Sequence, residues 1–197
     1  QAEAFSEIQI HISEETRQLL ATLAALPEFR AFDTEEIKDI LRSVHAQNPS
    51  YLNLTVVDST GVIAASSLLD AGISLSERKH IQNALVKGHF SGGEYVIGLV
   101  DEAPSFPYSY PITDYSGAVI GAISTLYRID SYAAVFEQFL LPDGAFLGLV
   151  DYKGIRLFHH PAKPSNPVGK PIKADVWEII SSSADQIIFT ETGSDGI

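Results

Sequence analysis

TVVDSTGVIAAS (residues 55–66) contains an apolar run, the turn Asp-x-x-Gly and a second apolar run, and the same pattern returns in PITDYSGAVIGA (111–122) and GLVDYKGIRLF (148–158). An aspartate at the first turn position accepts hydrogen bonds from backbone N–H groups further along the chain. A glycine at the fourth position adopts the positive φ of a type I turn with a bulge. Each stretch therefore predicts a β-hairpin.

The elements around these hairpins form two similar series. In the first, LNLTVVD and GVIAASS are strands, SERKHIQNALVK (76–87) is a helix between a capping box at Ser74–Glu77 and Gly88, and three further strands are GEYVIGLV, PYSYPITD and GAVIGAISTLY. A short helical link at 131–141 follows. The order then restarts with the third hairpin, a Pro-rich loop, a helix near 174–182 and the strand QIIFTET.

Two helices precede the first hairpin. The second has Asp33 as its N-cap with Glu36 three residues later, and it ends at Asn48–Pro49. The first, at residues 3–26, has a seam with alternating spacings of three and four, formed by Phe5, Ile8, Ile12, Thr16, Leu19, Leu23 and Leu26. Two interpretations stay open: an amphipathic helix that lies on its own domain, and a helix that also serves as a dimer seam and stalk.

Composition excludes several classes of function. The formal net charge is −12, so the surface repels phosphate backbones and a nucleic acid is not expected as a partner. The chain has no cysteine, which excludes thiol catalysis, Cys-ligated zinc and disulfides. No apolar stretch reaches the length of a membrane span, and no signal peptide is visible in these residues. Because it starts at Gln1 and lacks Met, we expect an excised piece of a longer protein.

Taken together, these pieces resemble a double Cache domain, the tandem PAS-like sensor of bacterial and archaeal receptors. The resemblance rests on the long first helix, NPSYLNLTVVDSTGVIAASS, SERKHIQNAL, YPITDYSGAVIGAIS, and LGLVDYKGIRLFHHP with VGK shortly after. It implies an α+β fold: a long N-terminal helix and two PAS-like units, each an antiparallel sheet with helices on one face. The expected boundaries are a stalk helix at 1–31, a membrane-distal ligand-binding unit at 32–135 and a smaller membrane-proximal unit at 136–197.

The resemblance also implies a function. We expect an extracytoplasmic sensor domain of a cell-membrane receptor, foremost a sensor histidine kinase, with a chemoreceptor or a cyclic-dinucleotide enzyme as other possible outputs. The excised domain is not expected to be an enzyme or to need a cofactor. It would form a homodimer through the N-terminal helix and meet the membrane only through flanking transmembrane helices.

Sensors of this family bind their ligand between the distal sheet and a covering segment, here residues 73–93. Arg78 is the candidate anchor, since its planar fork can hold a carboxylate through two parallel hydrogen bonds. His80 follows where amino-acid-binding members carry an aromatic residue. The other candidate ligand-binding residues lie on the strands and are Tyr95, Tyr108, Tyr110, Ser124 and Leu126, with Tyr110, Ser124 and Leu126 favoured as one set.

The sequence departs from the amino-acid-binding pattern. Those members have a Tyr before the Arg and an Asp on the last strand, where this chain has Ile73 and Thr125 or Leu126. A buried ammonium group without a carboxylate is costly. The expected ligand is therefore a carboxylate, another small polar molecule or a more apolar one, and not a standard α-amino acid.

The sequence leaves two alternatives to a sensor domain. A structural interaction domain with a vestigial pocket, relaying a signal from a partner protein, is the main alternative. A hydrolase is disfavoured because Gly-x-Ser-x-Gly, His-Glu-x-x-His and P-loop motifs are absent. No metal site is expected at His159-His160, since neighbouring strand residues point to opposite faces.

Overall fold

The computed structural model describes residues 2–136 and 140–182. From residue 2 to residue 58 the elements are α1 (Ala2–Ala24), α2 (Pro27–Arg30), α3 (Thr34–Gln47) and β1 (Tyr51–Asp58). They are followed, up to residue 136, by β2 (Ile63–Ser66), α4 (Lys79–Gln82) with a π-helical turn (Asn83–Lys87), β3 (Ser91–Gly92), β4 (Val96–Ile97), β5 (Pro104–Thr113), β6 (Val119–Arg128) and α5 (Ile129–Phe136). The rest consists of β7 (Leu147–Val150), β8 (Arg156–His160) and α6 (Ala174–Ser182). None of these helices has the length and apolarity needed to cross a membrane.

The main sheet is antiparallel throughout, with the strand order β2-β1-β6-β5-β3 and β4 paired to β5. β5 and β6 are ten residues each and form the centre. The predicted strand GEYVIGLV pairs only at Val96–Ile97, and the sequence did not predict β3. The α+β class with an antiparallel sheet and an N-terminal helix is confirmed.

One face of the sheet carries α1, α2 and α3. Leu54 and Val56 point to this face, where they join Leu20 of α1 and Leu41 of α3 in a continuous buried core. Full burial of a leucine side chain is worth roughly 1.5–3 kcal/mol, so this core is the main source of stability. The seam of α1 also packs here: Phe5, Ile12, Thr16 and Leu23 are buried, and Ile8, Leu19 and Leu26 are partly buried. The prediction of an amphipathic helix on its own domain is confirmed.

The opposite face carries α4 and the π-helical turn. Val57, Ile63 and Ala122 of the sheet pack there against Ile81 and Ala84. Because this second core is small, the rest of the face is left for polar side chains and a cavity.

The Asp-x-x-Gly turns form as predicted. Oδ1 of Asp58, of Asp114 and of Asp151 each accepts two backbone N–H groups, two and four residues further on, at 2.8–3.1 Å. The glycines that close the turns, Gly61, Gly117 and Gly154, have φ of 84°, 89° and 76°. Serine and backbone donors hold the pKa of Asp114 below its ordinary value.

The helix predicted at 76–87 begins later than expected. The capping box at Ser74–Glu77 does not form, and α4 starts after Arg78 without a side-chain cap. Tertiary contacts prevent it: Leu75 N–H donates to Gly61 O at 2.8 Å, and Ser74 bridges to Val62. These bonds hold the chain extended beside β2. Gly88 does end the helical segment, with φ 66°.

The segment predicted as the second unit, residues 136–197, contains the β7–β8 hairpin and α6. The predicted strand QIIFTET lies outside the described residues. The turn of the hairpin touches the first unit. Asp151 Oδ2 accepts the Tyr95 N–H at 2.9 Å, and the Tyr152 hydroxyl donates to Glu94 at 2.9 Å. Lys79 Nζ lies 3.6 Å from the centroid of the Tyr152 ring. The third turn therefore joins the two units.

Candidate functional site

A cavity lies against the sheet face that α4 covers. Its walls are β1, β6 and the chain at residues 69–99, which we call the cover. The cavity encloses about 50 Å³, room for about four water molecules at roughly 10–15 Å³ each. The lining residues are Asn53, Thr55, Leu69, Leu75, Arg78, His80, Val96, Ile97, Leu99, Ser124, Thr125 and Leu126.

The wall formed by the sheet is polar. Thr55 Oγ1 donates to Asn53 Oδ1 at 2.6 Å, and Ser124 Oγ donates to Tyr108 O at 2.9 Å. These bonds fix the orientations of the Asn53 amide and the Ser124 hydroxyl. They leave the Asn53 amide nitrogen, which carries two N–H groups, with no acceptor among the described residues. The wall therefore offers a fixed hydrogen-bond donor to a ligand.

Arg78 brings a positive charge to the cavity. It occupies the N-cap position of α4, where its N–H donates to Leu75 O at 2.9 Å and its backbone is extended. Its side chain is half-buried, and no carboxylate within the described ranges 2–136 and 140–182 pairs with it. A half-buried guanidinium group has five N–H donors, and with none of them engaged by a described carboxylate it is suited to bind an anion.

His80 is buried beside Arg78, with 4% of its surface exposed. The ring fits because residue 93 is glycine: a Cβ there would lie 2.8 Å from His80 Nδ1. Burial and, to a smaller extent, the charge of Arg78 lower the pKa of His80 from 6.5 to about 4, against the opposing charge of Glu94. His80 is therefore neutral at pH 7 and adds hydrogen-bonding capacity to the site but no charge.

This low pKa predicts a dependence of stability on pH. Between pH 6.5 and 4 the unfolded chain protonates His80 while the native state does not, so the free energy of unfolding falls as pH falls through that window. From pH 7.5 to 5 the loss is about 2 kcal/mol. The free energy of unfolding is measured by urea denaturation at both pH values. The loss between pH 7.5 and 5 should be about 2 kcal/mol smaller in His80→Gln than in wild type. His89→Gln, which changes an exposed histidine of the cover, is the control. Parallel profiles for wild type and His80→Gln would contradict the prediction.

Four of the predicted site residues line the cavity, namely Arg78, His80, Ser124 and Leu126. Their contact with a ligand stays a prediction. The expectation that Tyr110 shares their side of the sheet is wrong. Ser124 pairs with Ser109, and residues beside Ser109 point the other way because side chains alternate along a strand. Tyr110 accordingly packs against the core under α1.

Tyr108 and Tyr95 are also placed elsewhere. Tyr108 is buried in the core under α1, with its hydroxyl 3.1 Å from that of Tyr132. The ring of Tyr95 lies against Gly169 of the second unit, where a Cβ would approach it to 2.7 Å. The three tyrosines are therefore part of the scaffold around the site and are not among its lining residues.

Asn53 and Thr55 are lining residues that the sequence analysis missed. They are two polar residues, two positions apart, in the otherwise apolar strand β1, and this spacing was a usable signal for one shared face. A bulge in β1 includes Asn53. Tyr51 pairs with Tyr127 and Leu54 with Thr125, so Leu52 and Asn53 together oppose a single residue of β6.

Two other groups of polar residues have structural contacts. Asp101, in the loop after β4, pairs with Arg128 at 2.8 Å. His159 Nδ1 lies 2.8 Å from Pro161 O, and its Nε2 lies 3.0 Å from the Asn166 amide. Within the described part of the chain, no cluster of three or more His, Asp or Glu side chains is arranged to hold a metal ion.

The sequence matches no family model and no curated protein. Solved structures do match. The periplasmic sensory domain of the Campylobacter jejuni chemoreceptor Tlp1 has a TM-score of 0.69 at 14% identity, over 98% of this chain and 83% of that one. The sensor domain of the V. cholerae histidine kinase DctB has a TM-score of 0.66 at 14% identity, over 90% and 71%. The ligand-binding domain of the C. jejuni chemoreceptor Tlp3, solved with L-valine, has a TM-score of 0.62 at 13% identity, over 81% and 68%.

These neighbours are sensor or receptor domains and not enzymes. The protein therefore has the fold of the extracellular sensor domains of histidine kinases and chemoreceptors, in agreement with the double Cache architecture that its sequence resembles.

Proposed function

We propose that this protein is the extracytoplasmic ligand-binding sensor domain of a transmembrane signalling receptor, foremost a sensor histidine kinase. It binds a small carboxylate or another small polar metabolite in its distal unit, residues 32–135. The observation that carries the proposal is the half-buried Arg78, which lines the cavity and faces the same space as the Asn53 amide. Among the residues that the structure describes, Arg78 has no ion-pair partner. The fold supports it, because the neighbours are sensor domains.

A standard amino acid does not fit this site. None of the twelve lining residues that the structure describes is Asp or Glu, and the Asn53 oxygen already accepts a hydrogen bond from Thr55. A bound ammonium group would lose its water without gaining a counter-charge, which is costly. The L-valine bound by the neighbour Tlp3 is therefore not proposed as a ligand of this protein.

Signalling is proposed to run through α1 and a homodimer. α1 reaches both units: Leu20 is buried under the main sheet, and the ring of Phe5 lies 5.8 Å from that of Phe136, which in turn lies 5.4 Å from Phe158 of β8. A ligand shifts an equilibrium only by its preference for one conformation. Empty and ligand-saturated structures with superimposable α1 pairs would contradict this route.

A structural domain that relays a signal from a partner protein is the second candidate. It is favoured by the small size of the cavity, about 50 Å³. A thermal-shift screen with small metabolites separates the two. A ligand at one hundred times its Kd adds about 2.7 kcal/mol, which raises the Tm of a domain of this size by roughly 5–10 °C.

The screen includes a turnover assay on each hit. A sensor gains stability and returns its ligand unchanged, whereas a hydrolase consumes it. If no carboxylate or polar metabolite raises the Tm, the proposed binding function is wrong and the structural domain is favoured.

A further inference from the structure

The lining of the cavity constrains the chemistry of its ligand further. Arg78 is the one formally charged side chain among the twelve described lining residues, since His80 is neutral at pH 7. One guanidinium group neutralises one carboxylate. A second carboxylate on the ligand would enter the cavity without a counter-charge and would lose its hydration.

The remaining lining is aliphatic on the side of the cover. Half of the twelve described lining residues are aliphatic: five lie on the cover, namely Leu69, Leu75, Val96, Ile97 and Leu99, and Leu126 lies on β6 of the sheet. Ile97 is 47% exposed and Leu99 is 56% exposed. Apolar side chains therefore continue from inside the cavity to its mouth, where they are left in contact with water. An alkyl chain that covers them removes that apolar surface from water.

The polar groups, in contrast, converge at the sheet. The Asn53 amide and the Ser124 hydroxyl lie there, and Arg78 supplies the charge. A ligand that matches this arrangement has one charged polar end and one aliphatic end. The enclosed volume of about 50 Å³ restricts the part that is fully buried to a few heavy atoms, with any longer tail lying over Ile97 and Leu99.

We propose that the ligand of this site is a short-chain aliphatic monocarboxylate. Its carboxylate is held by Arg78 and the Asn53 amide, and its alkyl chain lies against Val96, Ile97 and Leu126. This inference rests on the proposed function and narrows it, because it excludes dicarboxylates as well as amino acids.

Calorimetric titration with acetate, propionate, butyrate and valerate tests the alkyl contact. Affinity should rise about threefold to fourfold with each added CH2 group that is buried. Succinate and 2-aminobutyrate, which add a second carboxylate or an ammonium group to a chain of four carbons, should bind at least tenfold more weakly than butyrate.

Ile97→Asn tests the position of the alkyl chain. Since Ile97 is about half exposed at the mouth, this change is expected to leave the fold intact. It should lower the affinity for valerate several-fold and leave that for acetate unchanged. Val86→Asn is the matched control: Val86 lies on the cover, is 84% exposed and is not a lining residue.

The outcomes separate this inference from the proposed function. If succinate binds more tightly than butyrate, or if affinity does not grow with chain length, the monocarboxylate inference is wrong while the sensor function stands. Equal loss of valerate affinity in Ile97→Asn and Val86→Asn also overturns it. If none of these acids and no other carboxylate or polar metabolite binds, the proposed function itself fails.

Discussion

Arg78→Ala is expected to weaken the binding of the carboxylate ligand at least tenfold, about 1.4 kcal/mol or more. Losing one partner of a desolvated charge pair costs roughly 2–5 kcal/mol, whereas a solvated pair contributes under about 1 kcal/mol. Arg78 is half-buried at the cavity wall, so the lower part of that range applies. The measurement is calorimetric titration of the best acid from the thermal-shift screen.

Two further variants test whether the loss of affinity is specific to the guanidinium group of Arg78. Arg78→Lys keeps the charge but loses the planar fork, so its affinity for the ligand should lie between that of wild type and that of Arg78→Ala. Arg42→Ala makes the same substitution on α3, where Arg42 is exposed and pairs with Asp39 at 3.5 Å. Its affinity should equal that of wild type. Undiminished affinity in Arg78→Ala would remove Arg78 from the site.

Asp151→Ala is expected to lower the free energy of unfolding by about 3 kcal/mol, and Asp114→Ala by about 1 kcal/mol. The two aspartates occupy the same turn position and make the same two Oδ1 bonds. Asp151 is only 4% exposed and also accepts the Tyr95 N–H through Oδ2 at 2.9 Å. Removal of Asp151 leaves its partly buried backbone N–H donors without an acceptor. Water, in contrast, can reach the N–H donors that Asp114→Ala releases.

Urea unfolding of both variants and of wild type measures this difference. Asp114→Ala is the matched control, because it breaks the turn without touching the other unit. Equal losses in the two variants would show that the Tyr95 bond contributes nothing measurable. Such a result would contradict the view that the third turn joins the units energetically.

Local features of the fold were predictable from the sequence. The three turns need only an aspartate that reaches donors two and four residues away and a glycine that tolerates positive φ. The N-cap of α3 is equally local: Glu36 N–H donates to Asp33 Oδ1 at 3.3 Å. Such interactions lie within one turn of chain, so sequence spacing is enough to identify them.

The start of α4 shows where local rules fail. Ser74 and Glu77 have capping-box spacing, but the chain beside them is held by Gly61 and Val62 of the first hairpin. A cap is worth about 1 kcal/mol, and the sheet-like bonds together outweigh it. The capping-box spacing therefore predicts a helix from residue 76, while contacts distant in sequence keep its first residues extended.

The candidate site was predictable in part for the same reason. Arg78 and His80 followed from the family resemblance, and both line the cavity. Tyr108 and Tyr110 were assigned to the wrong face because alternation shows which residues share a face but not which face meets the cover. The register of β5 against β6, with Ser109 opposite Ser124, decides that question.

The sequence by itself thus determined the hairpins, the helix ends at Asp33 and Gly88, the α+β class and the presence of an arginine in the covering segment. Only the tertiary structure decided that Asn53 joins Arg78 at the cavity, that three tyrosines belong to the scaffold, and that aliphatic residues line the mouth. The physical reason is the sequence separation of the interacting residues. Turns and caps are made within a few residues, whereas a cavity is formed by strands and a cover whose register and bulges are set by packing between distant parts of the chain.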